Sequence, residues 1–131
     1  MIDVLVVGPD VGTLDRITSL LEAQGWTVKK RQITAGQWVT ALVSRVEEDQ
    51  PKLVIVDVDY RFEATFGFLR QISGGEVRPT FLLLVTPDQD HVVVRANAIR
   101  GNVPMDFLLK PFDDNSFVSR VKSLLSRAVI Y

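Results

Sequence analysis

The sequence predicts an α/β fold in which a five-stranded parallel sheet is doubly wound, with helices covering both of its faces. Four short segments are apolar at nearly every position, which is typical of strands buried within a parallel sheet: residues 2–7, 53–56, 81–85 and 107–109. Residues 26–33 form a more polar fifth strand, which we expect at or near an edge. Helical patterns separate these strands, and this alternation implies parallel strands joined by right-handed crossovers.

Five helices are predicted from apolar residues that recur at helical spacing. The first two end at Gly25 and before Pro51, since glycine and proline commonly follow a helix. The third, residues 66–72, is short, and the fourth, residues 88–100, contains consecutive β-branched valines that weaken its helical pattern. The fifth, residues 117–125, has the clearest apolar stripe.

Length and composition restrict the classes of protein that fit. The 131 residues suit a single domain, residues 1–131, with no output domain after the last helix. A net charge of −1 provides no basic surface for nucleic acid, and no apolar run approaches the roughly 20 residues of a membrane helix. The absence of cysteine excludes disulfides and fits a reducing compartment. With a strand starting almost at Met1, no secretory leader is expected, so we expect a cytoplasmic protein without nucleic-acid or membrane contacts.

Three polar residues follow neighbouring strands at the edge of the sheet where doubly wound folds place their active cleft. Asp57, Thr86 and Lys110 provide a carboxylate, a hydroxyl and an ammonium group, a combination that suits phosphoryl chemistry. Each also has a purely structural interpretation. Asp57 is a candidate turn residue, Thr86 a candidate cap of the fourth helix, and Lys110 a solvated lysine.

The segments that carry these residues resemble the response-regulator receiver family. They are Val-Ile-Val-Asp at residues 54–57, Leu-Leu-Val-Thr at residues 83–86 and Asp-Phe-Leu-Leu-Lys-Pro-Phe at residues 106–112. The resemblance covers nearly the whole chain and implies the flavodoxin-like (βα)5 receiver fold. It also implies two-component or phosphorelay signal transduction through protein contacts rather than enzymatic turnover.

The same resemblance assigns a role to each site residue. It makes Asp57 the phosphoacceptor, Thr86 the switch hydroxyl, Lys110 the phosphate-contacting lysine and Phe107 the switch aromatic. The partner it implies is a histidine kinase or a downstream signalling protein, and a homodimer is a further candidate assembly.

The chain departs from the family where a magnesium ion would be held. The family ends its first strand with two adjacent acids that bind Mg²⁺, whereas this chain has Gly8 and Pro9 there. Asp10 lies one position late and is also a candidate cap of the first helix. The remaining metal candidates, Asp57 and Asp10, make a poor site for a hard cation, so Mg²⁺ binding is doubtful.

Two further departures follow the third and fourth strands. Pro87 has no N–H group, so it removes a backbone donor that would contact the phosphoryl group. Asp59 adds a second carboxylate, which would either repel a phosphoryl group or help to rebuild a metal site. We therefore expect a pseudo-receiver, in which metal-dependent phosphorylation of Asp57 is weak or absent.

Three alternatives remain open from the sequence. One is an ordinary receiver, phosphorylated at Asp57 with a rearranged magnesium site. Another is a phosphatase, because residues 56–59 resemble the first motif of haloacid-dehalogenase-like enzymes, although that motif usually ends the first strand of its core. The last is a flavin- or nucleotide-binding domain, which residues 8–12 disfavour because they lack the spacing of a phosphate-binding loop.

Overall fold

Strands and helices alternate along the described chain. The computed structural model describes residues 2–32, 38–57, 79–86, 94 and 104–128. The elements in these ranges are β1 (Val4–Gly8), α1 (Val11–Glu22), β2 (Val28–Gln32), α2 (Trp38–Asp49), β3 (Leu53–Asp57), β4 (Thr80–Val85), β5 (Met105–Leu109) and α3 (Asp114–Ala128). The helices predicted at residues 66–72 and 88–100 lie outside the described residues, except for Val94.

The described strands form one parallel sheet with the order β2-β1-β3-β4-β5. This arrangement confirms the predicted α/β class and the flavodoxin-like topology. β3 is central, and all five of its residues are buried, as are those of β1. β2 lies at an edge, as its polar sequence predicted, and four of its five residues are exposed.

The opposite edge of the described sheet corrects one expectation. Residues 107–109 were expected to be covered on both faces, like the other apolar strands. Instead β5 is an edge strand whose residues are partly buried, and Leu109 is 56% exposed. An apolar pattern indicates which faces of a strand avoid water, but it does not show whether the strand has a neighbour on both sides. The exposure of Leu109 at the sheet edge could therefore not be read from residues 107–109 alone.

One face of the sheet packs against α1 and α3. Its core contains alternate residues of the strands together with the apolar stripes of the two helices. Phe117 is fully buried there, and its ring stacks on Phe112 with centroids 5.1 Å apart. None of the helices in the described residues is long and apolar enough to cross a membrane.

Local signals set the ends of the first two helices. Gly25 adopts a φ of 92°, which a glycine tolerates after a helix, and Gln50 adopts a φ of 46° just before Pro51. The predicted ends of α1 and α2 are therefore confirmed. These turns direct the chain into β2 and β3.

Candidate functional site

Asp57 is the last residue of the central strand, and its side chain is only 8% exposed. It follows Ile55 on the same face of β3, the face that packs against α1 and α3. In the register of the sheet, Asp57 lies opposite Leu84 of β4. The carboxylate is therefore held by a strand that has a partner on each side.

Lys110 reaches Asp57 from the end of β5. The backbone N–H of Lys110 donates to the carbonyl of Val85 over 2.7 Å, which extends the β4–β5 pairing one residue beyond the strand. Lys110 Nζ then forms an ion pair with Asp57 Oδ1. That oxygen accepts no hydrogen bond of regular geometry in the described part of the chain, so the ammonium group provides its charge balance.

The other two predicted site residues occupy different positions relative to this pair. Thr86 directly follows β4 at the same rim of the sheet and is partly buried. Phe107 lies opposite Leu83 within β5, and the alternation of the strand places it on the other face from Lys110. The structure thus brings Lys110 to Asp57, while the switch roles of Thr86 and Phe107 stay predictions.

The end of β1 approaches Asp57 closely. A Cβ atom built on Gly8 would lie 2.9 Å from Asp57 Cβ and 3.3 Å from Leu14 Cδ2. Contacts under 3.0 Å between such atoms are essentially never found, so a side chain at position 8 requires the backbone to move. Gly8 is therefore more than a missing ligand, because its small size lets β1 and β3 meet at this point.

Asp10 caps α1, as one of its two interpretations predicted. Its Oδ2 accepts hydrogen bonds from Thr13 Oγ1 at 2.6 Å and from the Thr13 backbone N–H at 3.0 Å. The hydrogen bond from the Thr13 side chain and then that from its backbone hold the pKa of Asp10 below its usual value. The carboxylate is committed to the helix end and faces solvent.

The described residues do not fit a magnesium ion. Gly8 and Pro9 have no ligating side chain, Asp10 caps a helix, and Asp57 is paired with Lys110. No group of three acidic, histidine or cysteine side chains suitable for a metal occurs among the described residues. Magnesium prefers an octahedral set of oxygen ligands, and the described residues of this rim offer no cluster of carboxylates to anchor one. Asp59 and Pro87, also singled out in the sequence, lie outside the described residues.

A second polar cluster was not predicted from the sequence. Arg120 on α3 forms an ion pair of 2.8 Å with Asp106 on β5 and also donates to the carbonyl of Phe107 at 3.3 Å. No motif signals this contact, since the two charged residues lie 14 positions apart on different types of element.

Comparison with known proteins identifies the class of fold. No protein-family model matches the chain, and no curated protein matches it. Among solved structures, the signal receiver domain of a signal transduction histidine kinase from Syntrophus aciditrophicus has a TM-score of 0.76 and 23% identity, covering 97% of this chain and 92% of its own. The Vibrio cholerae chemotaxis protein CheY4 has a TM-score of 0.76 and 16% identity, covering 95% and 98%.

A third similar structure is the beryllofluoride-activated NtrC4 receiver domain dimer, with a TM-score of 0.75 and 17% identity, covering 98% of this chain and 99% of its own. These three structures all contain receiver domains. At this level of identity the similarity establishes the fold, and the chain therefore has the receiver fold. The ion pair between Asp57 and Lys110 lies at the carboxyl ends of the strands of that fold.

Proposed function

We propose that this chain is a receiver-like signalling domain that acts through protein contacts, and that magnesium-dependent phosphorylation of Asp57 is weak or absent. The receiver fold supports the signalling role in two-component or phosphorelay transduction. The observation that carries the second part is the close approach of Gly8 to Asp57, with 2.9 Å between Asp57 Cβ and a Cβ built on Gly8. A side chain able to ligate a metal would require the backbone to move at this point.

The chemistry of phosphorylation explains why this site would be inefficient. A carboxylate oxygen of Asp57 would attack the phosphorus of a donor while the bond from phosphorus to the leaving group breaks, which releases acetate when acetyl phosphate is the donor. Negative charge would be spread over the transferred oxygens in the transition state. Lys110 is the one cation in ion-pair contact with Asp57 among the described residues. Without a metal, and without an N–H at Pro87, fewer preorganised groups are available to stabilise that charge.

The partner we propose is a protein, either a histidine kinase or a downstream signalling protein. The net charge of −1 does not favour a nucleic-acid partner. A second copy of this chain is the alternative partner. Sedimentation of the purified protein over a range of concentrations distinguishes a homodimer from a monomer that awaits another protein.

A phosphodonor assay tests the proposal. The protein is incubated with acetyl phosphate, with and without Mg²⁺, and the intact mass is measured beside that of Asp57→Asn. We expect no phosphoryl gain that depends on both Asp57 and Mg²⁺. A stoichiometric, Asp57-dependent gain in the wild type would overturn the proposal in favour of an ordinary receiver.

A restoring variant makes this assay more informative. Position 8 is sterically closed, so Pro9→Asp is the better way to return one acid to the end of β1. Magnesium-dependent phosphorylation in Pro9→Asp, but not in the wild type, would assign the defect to the lost acid. Its absence in both proteins would show that one restored acid is not sufficient while Gly8 and Pro87 remain.

A further inference from the structure

The backbone of β5 alternates between groups that face β4 and groups that face the open edge of the described sheet. The carbonyl of Pro104 accepts from Phe81 at 2.9 Å, and the N–H of Lys110 donates to Val85 at 2.7 Å. Residues 104 and 110 thus face β4, and the same holds for residues 106 and 108 between them. The peptide groups of Phe107 and of Leu109 therefore point away from the sheet.

Both outward groups of Phe107 have side-chain partners. Its N–H donates to Asp106 Oδ1 at 2.8 Å, and its carbonyl accepts from Arg120 Nη1 at 3.3 Å. Arg120 Nη1 also donates to Asp106 Oδ2 at 2.8 Å, which closes a ring of three contacts around one residue. Since Arg120 belongs to α3, the ring links the edge strand to the last helix.

The exposure of the two charged side chains indicates what this ring contributes. Arg120 and Asp106 are 39% and 34% exposed, so solvent screens their attraction and the ion pair adds little to global stability. The hydrogen bonds to the backbone, in contrast, act on the position of Phe107. The shorter of the two is the one that Phe107 N–H donates to Asp106, so replacing Asp106 should have the larger effect.

We propose that Asp106 and Arg120 are positioning residues that hold the peptide groups of Phe107 and couple β5 to α3. A displacement of Phe107 along the edge of the sheet then requires these hydrogen bonds to break. Because Arg120 of α3 makes one of them, such a displacement also changes a contact of α3. The biological purpose of this coupling rests on the proposed signalling function. The contacts themselves need neither a metal nor a phosphoryl group, so their test is independent of phosphorylation.

Amide hydrogen exchange of the full chain, measured residue by residue by NMR, tests the proposal. In the wild type, the amide of Phe107 should exchange more slowly than that of Leu109, which faces the same edge. In Asp106→Ala, Phe107 exchange should accelerate by roughly tenfold or more, as expected for loss of a hydrogen bond to a charged group. Exchange at Leu108, which is bonded to β4, should change little.

Variants on α3 complete the design. Arg120→Met should accelerate Phe107 exchange by less than Asp106→Ala does, because the hydrogen bond that Phe107 N–H donates to Asp106 remains. Lys122→Met is the matched control, since Lys122 lies on the same helix and forms no ion pair among the described residues. It should leave Phe107 unchanged. If Asp106→Ala does not fold, the Arg120→Met and Lys122→Met comparison decides the outcome alone.

Two results would overturn the proposal. One is unchanged exchange at Phe107 in Asp106→Ala, or in Arg120→Met when that variant must decide alone. The other is an equal acceleration at Phe107 and Leu108, which would show a general loosening of β5 rather than a specific effect. Neither result bears on the phosphodonor assay, so failure of this coupling and failure of the proposed function can be told apart.

Discussion

Replacing Gly8 with alanine tests whether the end of β1 has room for a side chain beside Asp57. The new Cβ would lie 3.3 Å from Leu14 Cδ2, which is the end of a flexible side chain and can move aside. It would lie 2.9 Å from Asp57 Cβ, which is attached directly to the backbone of β3. Because β3 is hydrogen-bonded to both β1 and β4, relief of this contact requires the strands to shift.

The expected cost follows from two opposing effects. Overpacking of a closed site costs roughly 1–3 kcal/mol. Removing a glycine from a strand restores about 0.5–1 kcal/mol, because the unfolded chain loses conformational freedom. Because the 2.9 Å contact involves a Cβ attached to the backbone rather than the end of a flexible side chain, the upper part of that overpacking range applies, about 2–3 kcal/mol. We therefore expect Gly8→Ala to lower the free energy of unfolding by about 1–2.5 kcal/mol, which corresponds to roughly 3–10 °C in melting temperature for a domain of this size.

Urea unfolding followed by circular dichroism measures this change, and Gly12→Ala is the matched control. Gly12 lies in α1, where a Cβ would meet the carboxylate of Asp10 at ordinary contact distances, with Oδ2 at 3.6 Å and Oδ1 at 4.0 Å. That variant should be stabilised by up to about 1 kcal/mol because alanine is the better helix former. If Gly12→Ala is stabilised as expected and Gly8→Ala is no less stable than the wild type, the steric reasoning is refuted, and with it the main support for a metal-free site.

Two further predictions concern charged groups near the same rim. Lys110→Met should lower the free energy of unfolding by about 1–3 kcal/mol, which is less than for a fully buried pair because Lys110 is 30% exposed. Asp57→Asn should lower the free energy of unfolding by less than Lys110→Met does. The double variant should be more stable than the sum of the two single losses predicts. Hydrogen bonds with Thr13 and Ser116 lower the pKa values of Asp10 and Asp113, respectively, below the ordinary value of 3.8. Each ionised carboxylate therefore stabilises the folded state at a pH above 3.8, and this stabilisation is lost as the pH falls through the lower pKa of the folded state. The stability difference between the wild type and Asp10→Asn should therefore shrink in acid.

Each of these predictions has a result that contradicts it. Additive losses in the double variant of Lys110 and Asp57, measured by urea unfolding, would show that the two side chains are not energetically coupled. A stability difference between the wild type and Asp10→Asn that stays constant through acid unfolding curves would show that the charge of Asp10 does not favour the folded state. Asparagine is the appropriate replacement because it retains the ability to cap a helix.

Much of the site could be predicted because it depends on where strands end. Asp57 and Lys110 each follow an apolar strand, and parallel strands bring their carboxyl ends to one edge. The cap formed by Asp10 was also one of two stated interpretations, since aspartate directly before a helix commonly accepts from its first N–H groups. These features are local or follow directly from topology.

The steric closure at Gly8 could not be predicted in the same way. The sequence shows that position 8 lacks a side chain, but the distance to Asp57 depends on how closely β1 and β3 pack. The ring around Phe107 has the same origin, because Arg120 reaches β5 only through the placement of α3 against the sheet. Leu109 likewise gave an apolar signal although most of its surface is exposed.

The sequence by itself determined the class of fold, the edge position of β2 and the identity of the residues at the carboxyl rim. Hydrophobic periodicity reports which side of each element avoids water, and the alternation of strands and helices then restricts the connections. The tertiary structure decided the exposure of β5, the close approach of Gly8 to Asp57 and the link from Arg120 to Phe107. The physical reason is that local patterns specify a buried face, whereas close contacts depend on which distant element comes to cover it.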